Sequence, residues 1–185
     1  MRRALFLACL TLGPAVAAAP GRTGVPSGSS FSTVAVMEQA RPTLDLLVTV
    51  RLLDALVERG TLVPGTEARA ELREALGELP TRPTLGPLSA DRTLARVRGA
   101  LTGTQRGTLD AARADLERRA NLNLSRARFA AADGPANVAL LRYGFMLPGG
   151  FALARQVAAN PELNPYARPG TSAATLERLL ALLES

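Results

Sequence analysis

Any chemistry in this chain has to come from carboxylates, arginines and hydroxyls. All 22 basic residues are Arg, 16 residues are Asp or Glu, and there is no His and no Lys. The one cysteine is Cys9. A Ser–His–Asp triad, a Cys–His pair and the usual zinc ligand sets are therefore excluded. P-loop nucleotide chemistry is excluded as well, because it needs a lysine on the phosphates. What remains is a carboxylate pair, which requires two acids roughly 5 to 10 Å apart in a cleft. Glu67, Glu71, Glu74 and Glu78 recur at spacings of four, three and four, with Arg69 and Arg73 among them. That pattern describes a solvated helix face better than a cleft. The D-x-D-x-D-G calcium loop is missing, and Gly149-Gly150 lacks the strand before it that a phosphate cradle needs. No catalytic residue, metal or cofactor is expected.

Arginine is the second candidate. From Glu38 to Glu78 there are eight acids and five Arg, a net −3, whereas from Arg92 to Arg128 there are nine Arg and three acids, a net +6. Arg106 and Asp110 are four apart, as are Arg113 and Glu117, the ordinary spacing of helix-surface pairs. Arg118, Arg119, Arg126 and Arg128 have few acids nearby and form a candidate patch for an anion: a membrane phospholipid, an acidic polymer or a protein partner. The plainer reading is a solvated surface that balances the acidic helices. Only Phe129 lies among these arginines to stack on a base, so nucleic acid is not an expected partner.

The elements that must position these residues are helices throughout. In the stretch 43–60, Leu46, Val50, Leu53 and Val57 recur at helical spacing, Pro42 suits a first turn and Gly60 a stop. A shorter helical piece is expected over Thr33 to Gln39. A second helix is predicted over Glu67 to Leu79 with Thr66 as its cap, followed by an extended Pro-rich connector from Thr81 to Leu88. Ser89 is expected to cap a third helix that Gly99 weakens or ends. Thr102 and Gln105 then form a T-x-x-Q capping box, so neither needs a ligand to explain it. Leu109, Ala112 and Leu116 line the fourth helix, and the pattern loosens after Ala120 at Asn121, Asn123 and Ser125. Short apolar helices are predicted over Ala136 to Phe145 and Phe151 to Ala159, and a leucine-faced helix over Ser172 to Leu183. Val63 to Glu67, Leu88 to Arg92 and Leu101 to Gln105 share a weak pattern. It is either a repeated unit or the common grammar of helix starts. The fold expected is all-α, a single helical domain of four to six helices over 33–185, with a Pro/Gly-rich connector and loose C-terminal loops. Leu46, Val50, Leu53, Leu72, Leu76, Leu94, Leu109, Leu116, Leu176 and Leu180 are its predicted core.

Residues 1–17 read as a signal peptide. Arg2 and Arg3 precede an apolar run, Gly13-Pro14 breaks it, and Ala15-Val16-Ala17 offers the small-x-small site for cleavage after Ala17 or one residue later. Phe6-Leu7-Ala8-Cys9 is similar to a lipoprotein processing site, but only five apolar residues precede Cys9. Cleavage after Ala17 leaves no cysteine and a net charge of +4, from 20 Arg and 16 acids. Gly, Pro and Ser dominate 18–32, a flexible leader. No later apolar run reaches the roughly 18 residues that a transmembrane span needs. Export to the periplasm or beyond follows.

Leu101-Thr102-Gly103-Thr104-Gln105 resembles the L-T-x-x-Q element of small bacterial envelope proteins, including the Spy/CpxP-like periplasmic stress proteins. The resemblance covers at most residues 46–120, and no second clear copy of the element is present. It implies an all-helical protein with a chaperone or signalling role. The expectation that follows is a non-catalytic exported protein that binds a protein or polypeptide partner in the cell envelope through its helical surface. Two alternatives stand beside it: a carboxylate-dependent hydrolase of envelope polymers, and a binder of an anionic ligand or membrane surface through the arginine patch. The sequence assigns no oligomeric state.

Overall fold

Val34–Glu58 forms one 25-residue helix, α1, which runs unbroken through Pro42. This corrects the expectation of a break before Thr43. A proline inside a helix removes one hydrogen bond and costs about 3 kcal/mol. Here Ala40 on one side of it and Thr43 and Leu44 on the other are all fully buried, so packing of the upstream turn outweighs that cost. The computed structural model describes residues 34–126 and 138–184. The signal segment, the leader, the 127–137 stretch and Ser185 lie outside them.

Seven helices make up the described residues: α1, α2 (Thr66–Gly77), α3 (Pro87–Ala100), α4 (Gly103–Arg126), α5 (Val138–Met146), α6 (Gly150–Ala159) and α7 (Thr171–Glu184), with a 3-10 turn at Leu79–Thr81. The architecture is all-α as expected, with one helix more than the upper bound of six. α1 is the central element and touches α3, α4, α5, α6 and α7, while α2 packs on α3 and α7. Leu44, Leu46, Leu47, Val48, Val50 and Leu53 are all buried on it. A helix that is apolar on nearly every side has to be surrounded. Of the predicted core, Leu94 and Leu180 are only partly buried, and the other eight residues, seven leucines and Val50, are buried.

Helix starts follow backbone chemistry more than the expected hydroxyl caps. Gly65 precedes α2, so Thr66 is its first residue, and Gly86 precedes α3, with Pro87 in the first turn. Ser89 lies within α3, where its carbonyl accepts from Thr93 Oγ1 at 3.0 Å. Proline costs nothing where an N–H would be unpaired in any case. The three look-alike segments thus share a helix start and little else, since Val63 and Leu88 are exposed and Leu101 is buried. Gly60 ends α1 with φ +67°, a left-handed backbone that glycine adopts without strain. α4 continues to Arg126 through the polar stretch after Ala120.

The connector after α2 begins with the 3-10 turn and then meets the loop between α6 and α7. Leu85 N–H donates to Glu162 O at 3.0 Å, and Thr84 bridges Leu163. Buried Asn164 holds the same junction, donating through Nδ2 to Leu79 O at 2.8 Å and Arg82 O at 2.7 Å. Its Oδ1 accepts from Tyr166 N–H at 3.0 Å.

Candidate functional site

The sequence patch is placed on the outer face of α4. Arg118 and Arg119 are exposed and share one carboxylate, Asp115, which Arg119 Nη2 meets at 2.8 Å. Exposed pairs of this kind contribute about 0–1 kcal/mol each. Arg126 is exposed at the end of α4 and meets no carboxylate among the described residues; Arg128 lies outside them. Arg118 and Arg119 are thus partly neutralised on an exposed surface. Thr102 and Gln105 exchange both bonds of the capping box, with Thr102 N–H donating to Gln105 Oε1 at 2.9 Å and Gln105 N–H to Thr102 Oγ1 at 3.3 Å. Gln105 Nε2 also donates to Val63 O at 2.9 Å, tying α4 to the chain before α2.

Two acids on α1 are the polar centres that sequence reasoning missed. Asp45 accepts from Tyr143 Oη at 2.6 Å and from Arg113, and Arg41 Nε stands 3.6 Å away. Burial alone would lower the Arg113 pKa, but the hydrogen bond and charge of Asp45 and the bond to Glu117 raise it overall. Tyr143 is raised too, first by burial and then by the negative charge of Asp45. Nine residues on, buried Asp54 is held by Arg178 of α7 through two bonds, one of them Nε to Oδ1 at 2.8 Å. That bond and the Asp54 charge raise Arg178. Arg51, between the two acids, donates to the Met146 carbonyl at the end of α5, and burial followed by the nearby charge of Arg119 lowers its pKa. The half-buried position of Asp45 and the buried one of Asp54 were hidden in the sequence because their partners Arg113 and Arg178 lie 68 and 124 residues away.

These acids are consumed by structure. Each is matched to an arginine, and Arg113 bonds Glu117 at 3.0 Å as well as Asp45, so a guanidinium is held by both carboxylates. On the acidic row of α2, Glu74 meets Arg96 at 2.7 Å and Glu78 meets Arg82, while Glu67 and Glu71 are exposed. Among the described residues no group of three or more His, Cys, Asp or Glu is placed to hold a metal ion.

Packing leaves several large apolar side chains exposed, Val63, Leu88, Leu122 and Val138 among them, and the two aromatic ones lie at the turn between α5 and α6. Phe145 and Phe151 are 40% and 41% exposed, two of the few large apolar side chains left in water. Phe151 lies against the backbone of Gly144, where a Cβ would stand only 3.0 Å from Phe151 Cα. Glycine therefore lets the two short helices close up and sets Phe151 beside the turn of helix that carries Phe145. The Arg155 guanidinium sits over the Phe151 ring, 5.7 Å from its centroid. The signal in the sequence was Pro148-Gly149-Gly150 between two apolar helices, but apolar periodicity by itself points such residues inward. No family model, curated protein or solved structure matches the chain.

Proposed function

We propose that this chain is an exported, non-catalytic protein of the bacterial cell envelope that binds a protein or polypeptide partner, and that contact runs through the α5–α6 surface. The observation that carries the reading is the exposed pair Phe145 and Phe151 with Arg155 over one ring. Aromatic side chains, phenylalanine among them, and arginine are enriched at protein interfaces. The disposition of the acids supports the same reading, since a hydrolase would need two of them converging in a cleft. Export rests on the 1–17 signal pattern. The L-T-x-x-Q element adds a likeness to envelope stress proteins and lies at the start of α4.

Pull-down from an envelope extract tests this, with the native chain beside two variants. One carries Phe145→Ser and Phe151→Ser; the other has Arg118, Arg119, Arg126 and Arg128 changed to Ser. Partners retained by the arginine variant and lost by the phenylalanine variant support an apolar contact. Loss in the arginine variant or at moderate salt transfers the interaction to the basic patch. Nothing specific in either case removes the reading.

A further inference from the structure

A second region, separate from the aromatic pair, points to a ligand. The loop before α7 and the α6 face opposite it enclose a half-open cavity of about 270 Å³. Leu153, Leu163 and Pro165 give it apolar walls, and Gln156, Arg168 and Ser172 its polar groups; no carboxylate lines it. The N-terminus of α7, a helix of 14 residues, opens into this space through Gly170, Thr171 and Ser172. Ala174 N–H closes the first turn onto Gly170 O at 3.0 Å. The N–H groups of Thr171, Ser172 and Ala173 have no partner among the described residues, because Gly170 at the capping position has no side chain to offer. Such a terminus carries about half a positive charge.

The independent observation is Ser172. It is only 5% exposed, yet it lines the cavity, and its hydroxyl makes no hydrogen bond to a described residue. A hydroxyl that the chain leaves without a partner is met by whatever fills the space beside it. The hydroxyl is not sealed in packing either, since among the described residues the fully enclosed polar side-chain atom without a partner is Tyr166 Oη. The Ser172 hydroxyl therefore opens to the cavity. Arg168 supplies the cation and pairs with no acid among the described residues.

From this we infer that the cavity binds the carboxylate of a small organic acid. The anion sits on the free N–H groups of α7, the Ser172 hydroxyl and Arg168, and the hydrocarbon body lies on Leu153, Leu163 and Pro165. One arginine and one helix end match a single negative charge better than a phosphate dianion. The apolar walls reward a carbon chain that an inorganic ion lacks. The volume is at the small end for ligand sites and keeps that chain short.

Titration of the full chain with sodium butyrate, followed by the backbone amide NMR signals of Thr171, Ser172 and Ala173, tests the inference. Sodium phosphate and sodium chloride at equal ionic strength are the comparisons. Saturable shifts at millimolar butyrate are expected, with Arg168→Gln weakening the response roughly fivefold. Gly170→Asp is the sharper variant. A Cβ at this position meets nothing within 4 Å, and an aspartate there caps the same N–H groups from within the chain. Butyrate binding should fall at least tenfold while the melting temperature stays level or rises. The inference is overturned by the absence of a saturable butyrate shift, by saturation with phosphate alone, by an equal response to chloride, or by full butyrate binding in Gly170→Asp.

Discussion

Buried polar groups are treated differently in the two stretches of the described chain. Over residues 34–126 each buried polar side chain has a partner. Thr43 donates to Leu85 O, Thr49 to Asp45 O and Thr93 to Ser89 O, and Asp54 is held by Arg178. Over 138–184 Asn164 is fully matched, but the Ser172 hydroxyl and the enclosed Tyr166 Oη are not, and two phenylalanines stay in water. The sealed hydroxyl without a partner among the described residues, Tyr166 Oη, costs stability and lies in the second stretch, whereas exposed apolar side chains such as Val63 and Leu88 occur in the first as well.

The largest way to break this contrast is at Asp45. Asp45→Ala removes the partner of Tyr143 Oη and of half-buried Arg113 together. A loss of about 3 kcal/mol is expected in urea unfolding. A loss under about 1 kcal/mol would mean that this centre does not hold α1, α4 and α5 together.

The pH dependence of stability sharpens it next. The chain has two tyrosines, and both have raised pKa values: Tyr143 through burial and the Asp45 charge, Tyr166 through burial. A phenol raised above its unfolded value near about 10 contributes stability that is complete below that pH and is lost as pH rises beyond it. With no His and no Lys, no other side chain between the carboxylates and the tyrosines titrates except Cys9 where it is retained. Stability should therefore be level from about pH 6 to 9 and fall above about 10, by up to about 1.4 kcal/mol per pH unit for each tyrosine. Phenolate absorbance should appear together with unfolding. A phenolate signal near pH 10 in the folded protein would place one tyrosine in water.

The smallest expected change distinguishes the two regions most finely. Tyr166→Phe deletes a hydroxyl that has no partner, so stability should stay level or rise by up to about 1 kcal/mol. Tyr143→Phe, measured beside it, should lower stability, because that hydroxyl is used by Asp45.

Much of the scaffold was legible in the sequence. The stripe of Leu46, Val50 and Leu53 and the pair Leu72 and Leu76 are buried as their helical spacing predicts, and the Thr102–Gln105 box is local chemistry that five residues spell out. Pro42 was misread because a local penalty can be outweighed by tertiary packing that no window of sequence contains. The arginine patch was legible as composition, but the sharing of Asp115 by Arg118 and Arg119 reduces its weight. Phe145, Phe151 and Ser172 were not legible as site residues. Whether an apolar residue is left exposed, or a hydroxyl left without a partner, depends on which helices fail to cover it.

Under the proposed function a polypeptide partner is held by Phe145 and Phe151 and not by the arginines of α4. Fluorescence anisotropy of a labelled, permanently unfolded polypeptide titrated with the full chain tests it directly. The account predicts saturable binding that Phe145→Ser with Phe151→Ser weakens at least tenfold at an unchanged melting temperature. Arg118→Ser with Arg119→Ser should change it less than twofold. Binding that survives the phenylalanine changes and is lost with the arginines, or no binding by the native chain, would contradict it.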